Sequence, residues 1–161
     1  MVRSGPAYYF STIEELLDTA QRTLFERART RYRAGLAATS RAIDVPRLLD
    51  LTTAIYYREA LEFGSENVAY YSVWMRAAQN PSLRSSVASS LLSFHHAWSR
   101  RIAQAGASSE VAQNGEIALR MQAAFVGKLI RTIVTAPDVT DLSWARADFA
   151  ASLQANREGT H

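Results

Sequence analysis

The sequence contains no cysteine, which excludes a disulfide framework and thiolate-held metal sites alike. It has only 4 prolines and 7 glycines in 161 residues. They stand at a few seams, so long uninterrupted helices are allowed between them. No apolar run approaches the ~18 residues that span a bilayer, and the start shows no charged-then-apolar signal pattern. A cytoplasmic location without a membrane partner is therefore expected. Lysine is nearly absent, Lys128 being the one lysine among 18 basic residues. No stretch of four or more residues alternates convincingly at period two, so strands are not expected. Enzyme signatures are missing too: no His-Glu-x-x-His, no nucleophile elbow and no phosphate-binding glycine loop occurs. The expectation is a protein that is not an enzyme and carries neither cofactor nor metal.

What is present is ordinary for a soluble domain: 48% hydrophobic and 20% charged residues, with a net charge of +3. The length suits one or two domains, and a single core could bury roughly two-thirds of the unfolded surface. The densest positive run is Arg22, Arg27, Arg29, Arg31 and Arg33, on one expected helix. It could face phosphate or form a solvated helix face, helped by Glu26 nearby.

Apolar residues recur at helical spacing throughout. Ser11 with Glu14, and Thr12 with Glu15, fit a capping box. Behind it Ile13, Leu16, Leu17, Ala20, Leu24, Ala28 and Tyr32 form one stripe, predicting a helix to about Thr39. Asp44-Val45-Pro46 opens a second helix, expected to stop at Gly64. A third, from Ser65 or Glu66 through Gln79, is apolar on nearly all sides, which predicts a central position. Asn80 is a candidate N-cap with Pro81 at the first helical position. The fourth helix carries Leu83, Val87, Leu91, Phe94, Trp98 and Ile102, and ends near Gly106. A fifth runs from about Gly115 to Thr135, and a sixth from about Asp141 holds Trp144, Ala145, Phe149 and Leu153. The fold class is all-α, about six helices.

One local pattern is more specific. Gly5-Pro6-Ala7-Tyr8-Tyr9-Phe10-Ser11-Thr12-Ile13-Glu14-Glu15-Leu16-Leu17 resembles the end of the DNA-recognition helix of TetR-type transcriptional regulators and the start of the following helix. Phe10, Thr12, Glu15, Leu16 and Leu17 keep the family's offsets. Trp74-Met75-Arg76-Ala77-Ala78, the break at Asn80-Pro81-Ser82-Leu83-Arg84, and the long helix behind it also resemble the regulatory domain of that family. The resemblance implies residues 1–11 as a remnant of the reading head with Arg3, Tyr8 and Tyr9 nearest DNA, 12–40 as a connecting helix, and 44–157 as a ligand-binding and dimerisation domain. Ile13 departs from the pattern, standing where the family usually has a lysine. Only Met1 to Ser4 precede the pattern, where the family has about forty residues carrying most of the helix-turn-helix. Operator DNA is accordingly expected as a partner of a full-length form alone, because a recognition helix without its supporting helices cannot hold its orientation in the groove.

The resemblance further implies a small hydrophobic effector among the middle helices. The candidate pocket residues are Tyr56, Glu59, Phe63, Tyr71, Trp74, Met75, Phe94, His95, Trp98, Met121, Gln122 and Phe125: apolar area for affinity and a few polar atoms for orientation. For any one aromatic, core packing is the commoner use of such spacing. His95 and His96 diverge by about 100° on a helix and cannot share a metal. His95 suits a carbonyl contact in the core or a polar contact to a ligand. The last two long helices resemble the family's dimerisation pair, implying a homodimer through Ala118, Ala123, Gly127, Ile130, Trp144 and Phe149. The other reading of the chain is an all-helical protein-interaction module with no small ligand.

Overall fold

The computed structural model describes residues 9–37, 43–135 and 143–154. They form six helices and, among the described residues, no strand: α1 (Ile13–Ala37), α2 (Val45–Leu61), α3 (Gly64–Gln79), α4 (Pro81–Gln104), α5 (Val111–Thr135) and α6 (Ser143–Gln154). Arg3, Tyr8 and the 136–142 turn lie outside the described residues. None of the helices is long and apolar enough to cross a membrane.

Local chemistry sets the helix ends. Thr12 Oγ1 accepts from the Glu15 amide at 3.1 Å, while Glu15 Oε2 accepts from the Ser11 amide at 2.8 Å; orphan donors at the start of α1 are thus satisfied from both sides. Asp44 caps α2 through the Arg47 amide at 2.9 Å. Asn80 caps α4 through the Ser82 amide at 3.0 Å, with Pro81 at the first turn. At the far end of α4, Gly106 takes φ +68°, its amide bonds Ala103 O, and the Ala107 amide bonds Ile102 O. This is the Schellman arrangement, which needs a residue tolerant of positive φ.

The main core lies where α2, α4, α5 and α6 meet. Leu48, Ile55, Tyr56, Ile102, Ile117, Met121, Leu129 and Phe149 are all buried there. A smaller cluster of Val73, Ala77, Leu83 and Val87 joins α3 to α4. α1 lies across α4 and α3. Gln21, fully buried, donates from Nε2 to Ser90 Oγ at 3.0 Å and fixes α1 on α4.

Several expectations are corrected. Gly64 does not stop the second helix; α2 ends at Leu61 and Gly64 begins α3. α3 is not central. It buries Asn67, Tyr70, Val73 and Ala77, while Val68 and Met75 face outward, Met75 being 73% exposed. α5 begins at Val111, before Gly115. Phe149, expected at the intersubunit contact, is 0% exposed within the chain. Its ring stacks on Phe125 at 6.1 Å and meets Tyr56 edge-on at 5.9 Å. Ala118 is equally buried and has no surface to offer a partner.

Candidate functional site

The first side-chain assembly is electrostatic. Arg31 on α1 reaches into the bundle and donates from Nε and Nη2 to the two oxygens of Glu59 on α2, each at 2.9 Å. Glu59 is fully buried; it also accepts from Asn67 Nδ2 at 3.2 Å. Arg31 Nη1 pairs with Glu66 of α3, which Arg27 bonds at 3.0 Å. The Phe63 ring lies under the Arg31 guanidinium, 4.1 Å away. Burial opposes the Arg31 charge, but the bonds and fields of Glu59 and Glu66 outweigh it and raise its pKa. Burial likewise disfavours the Glu66 charge, yet the bonds and fields of Arg27 and Arg31 outweigh it and hold its carboxyl below 4.5. Glu59 and Phe63, expected in a ligand pocket, are therefore occupied in clamping α1 to α2 and α3.

Above this clamp lie two adjoining cavities. The inner one, about 30 Å³, is bounded by α1, α3, α4 and α5, with Tyr32, Tyr71, Trp74, Phe94, Trp98, Gln122 and Phe125 on its walls. It is the place expected for the effector, but it is room for about two waters, since one water needs roughly 10–15 Å³ measured this way. Burial pushes the phenols of Tyr32, Tyr70 and Tyr71 above their ordinary value of 10.0. They are neutral hydroxyls at physiological pH.

The outer cavity, about 130 Å³, opens between α1 and α4 and shares Tyr32, Phe94 and Trp98 with the inner one. Phe25 and Ile55 complete its apolar floor, and Arg29, Arg33, Arg100 and Arg101 stand around its rim. Phe94 is held edge-on by Phe25 at 5.4 Å and by Tyr32 at 5.2 Å.

Of the twelve pocket candidates, Tyr71, Trp74, Phe94, Trp98, Gln122 and Phe125 are thus brought together. The others are not. Tyr56 is core: its hydroxyl bonds Thr132 Oγ1 at 2.5 Å, and its ring packs on Phe125, Trp144 and Phe149. Met121 is core as well. Met75 is at the surface. His95 lines neither cavity; its ring lies beside Gly115 of α5, with Nδ1 buried and unbonded. Tyr32, Asn67, Tyr70 and the rim arginines were missed. In the sequence Tyr32 only ends an apolar stripe, and the α1 arginines form one run that could face phosphate or solvent.

The surface side of α5 carries an apolar stripe. Leu119, Ile130 and Val134 are exposed, and Ala123 and Gly127 lie on the same stripe. A Cβ at Gly127 would meet nothing within 4 Å. Trp144, 37% exposed, sits at the seam with the Lys128 ammonium 4.6 Å from its ring. Tyr9, expected near DNA, is exposed. Among the described residues there is no group of three or more potential metal ligands. Against known proteins, no family model matches the chain, and neither a curated protein nor a solved structure matches it.

Proposed function

We propose that this chain is the ligand-sensing and dimerisation portion of a TetR-type transcriptional repressor, and that it binds a small, mostly apolar effector whose arrival would release DNA in the intact protein. The observation that carries the reading is the aromatic cavity closed on one side by α1, the helix directly behind Tyr8-Tyr9-Phe10. An effector seated between α1 and α4 acts on the element that would lead to a reading head. It can shift that element only if it binds one arrangement of α1 better than the other. The inner void is too small for such a molecule, so the ligand sits in the outer cavity, against Tyr32, Phe94 and Trp98.

The test is a thermal-shift screen of small apolar compounds, neutral and charged, against the chain. A ligand of this site raises the melting temperature by mass action and slows amide exchange in α1 and α4. A screen in which nothing stabilises the chain, or in which protection falls elsewhere, overturns the reading.

The proposed homodimer rests on the α5 stripe. A mid-helix glycine costs roughly 1 kcal/mol against alanine, and among the described residues nothing crowds Gly127; close approach of a second copy supplies the reason. Ile130→Arg is expected to leave the fold intact, because Ile130 is exposed, and to give a monomer in sedimentation at micromolar concentration. A variant that still dimerises places the interface elsewhere.

A second reading, a helical protein-interaction module without a small ligand, is favoured by the small inner void together with that same apolar stripe. It predicts a chain that no compound stabilises and whose α5 stripe is covered by a different protein.

A further inference from the structure

The rim of the outer cavity carries charge of one sign. Arg29 and Arg33 are one turn apart on α1, and Arg100 and Arg101 face them from α4. Among the described residues, no acidic one lines the cavity. Arg29 is engaged by Glu26 at 3.0 Å and Arg101 by Gln104 at 3.2 Å. Arg33 and Arg100 make no ion pair among the described residues, and both are exposed. Two guanidiniums with no ion pair among the described residues thus stand at the mouth of an aromatic slot. Their chemistry suits a planar anion, since guanidinium matches carboxylate geometry with two parallel hydrogen bonds.

Size narrows the choice. The cavity of about 130 Å³ is close to the roughly 150 Å³ apolar cavity that holds one benzene molecule. One six-membered ring fits between the aromatic walls, with room for the substituent only outward, toward the arginines. From this juxtaposition we propose that the cavity between α1 and α4 binds a single-ring aromatic carboxylate. Its ring sits between Phe25, Tyr32, Phe94 and Trp98, and its carboxylate on Arg33 and Arg100. The inference rests on the effector-sensing reading above and names the chemical class of that effector. The anion would bridge α1 to α4 across their positive rims, so its binding energy is tied to the spacing of those helices, and that spacing is what an effector must set.

The experiment uses the full chain and benzoate as the probe, followed by tryptophan fluorescence and by melting temperature. Benzamide, the same shape without the charge, and toluene, the ring without the head, are the comparisons. Benzoate is expected to perturb Trp98 emission and raise the melting temperature, with benzamide about tenfold weaker or worse, as loss of a charge-assisted pair requires. Arg33→Gln with Arg100→Gln, both at exposed positions, is expected to fold normally and lower benzoate affinity to the level of benzamide. Ala97→Leu, which fills the cavity from α4, is expected to abolish binding of all three. Equal binding of benzoate and benzamide, or unchanged benzoate binding by the double variant, overturns the carboxylate assignment and leaves the effector-sensing reading standing. So does stabilisation by toluene but not by benzoate. Undiminished benzoate binding by Ala97→Leu places the site elsewhere and overturns the inference. No response to any of the three probes, together with an empty thermal-shift screen, removes the inference and the effector reading at once.

Discussion

Glu59→Ala is expected to destabilise the chain by about 3–5 kcal/mol, the scale of loss when one member of a buried ion pair is removed. Glu59 is fully buried and accepts from both Nε and Nη2 of Arg31, so its removal strands one edge of a guanidinium whose side chain is only 15% exposed. Glu66 remains to pair with Arg31, but it is already shared with Arg27. Asn67 also loses one acceptor. Against a total stability of about 5–15 kcal/mol for a domain, the variant should be close to unfolding, and urea titration at neutral pH measures the loss. The double variant Arg31→Met, Glu59→Leu separates two explanations. Replacing the pair by apolar groups of similar volume should recover much of the loss. If the double variant is as unstable as Glu59→Ala, the damage comes from packing and not from stranded charge.

The same clamp gives a pH dependence with a definite sign. The Glu66 carboxyl titrates below its ordinary value of 4.5 in the folded chain. A carboxylate with a depressed folded pKa contributes stability that is fully present above the unfolded value and disappears as pH falls through the folded one. Melting temperature should therefore decline below pH 4.5, and Glu66→Gln should flatten that limb while lowering stability at neutral pH. A limb as steep in the variant as in the native chain assigns acid sensitivity to other carboxylates.

Much of this architecture was legible because helix ends are local chemistry. Asn80 with Pro81, Asp44 with Pro46 and Thr12 with Glu15 are signals within a few residues, and each operates at the expected place. What sequence periodicity does not contain is the side from which neighbours arrive. α3 is apolar all round, so it could have been buried on any face. Its contacts with α1, α2 and α4 select the one bearing Asn67, Tyr70, Val73 and Ala77, and leave Met75 in solvent. The arginines of α1 show the same limit. Read as one run they suggested a single face, yet at about 100° per residue they form two i, i+4 pairs. Arg27 and Arg31 meet the carboxylates of α2 and α3, while Arg29 and Arg33 border the outer cavity. The pairing was readable; the acids and aromatics opposite each pair come from distant segments and were not. Half of the expected pocket residues surround the inner cavity for a related reason: aromatics on converging helices gather around a common axis, whether the space they leave is large or small.

The second large effect belongs to Phe149, whose place in the core reverses the expectation drawn from its position on the last helix. Phe149→Arg should not give a folded monomer; it should fail to fold. The ring is fully buried against Tyr56 and Phe125, with Ala145 and Leu153 on the same side of α6. An arginine there has no acid within that apolar cluster to pair with, and an unpaired buried charge costs more than a small domain can lose. Phe149→Ala is the milder form, expected to cost about 3–5 kcal/mol through lost transfer energy and the cavity left behind. α6 is anchored to α2 and α5 chiefly through this ring, since the ion pairs Arg146–Asp50 and Lys128–Asp148 lie at the surface and such pairs contribute at most about 1 kcal/mol. Amide protection in α6 should then fall first. The comparison that decides between core and interface is with Ile130→Arg, the same charge placed on the exposed stripe of α5. A folded, monomeric Ile130→Arg beside an unfolded Phe149→Arg assigns the first residue to the contact between copies and the second to the interior of each. A Phe149→Arg chain with native helicity and an undiminished urea midpoint would show that α6 packs on the bundle by some other face, and the aromatic cluster described above would have to be abandoned.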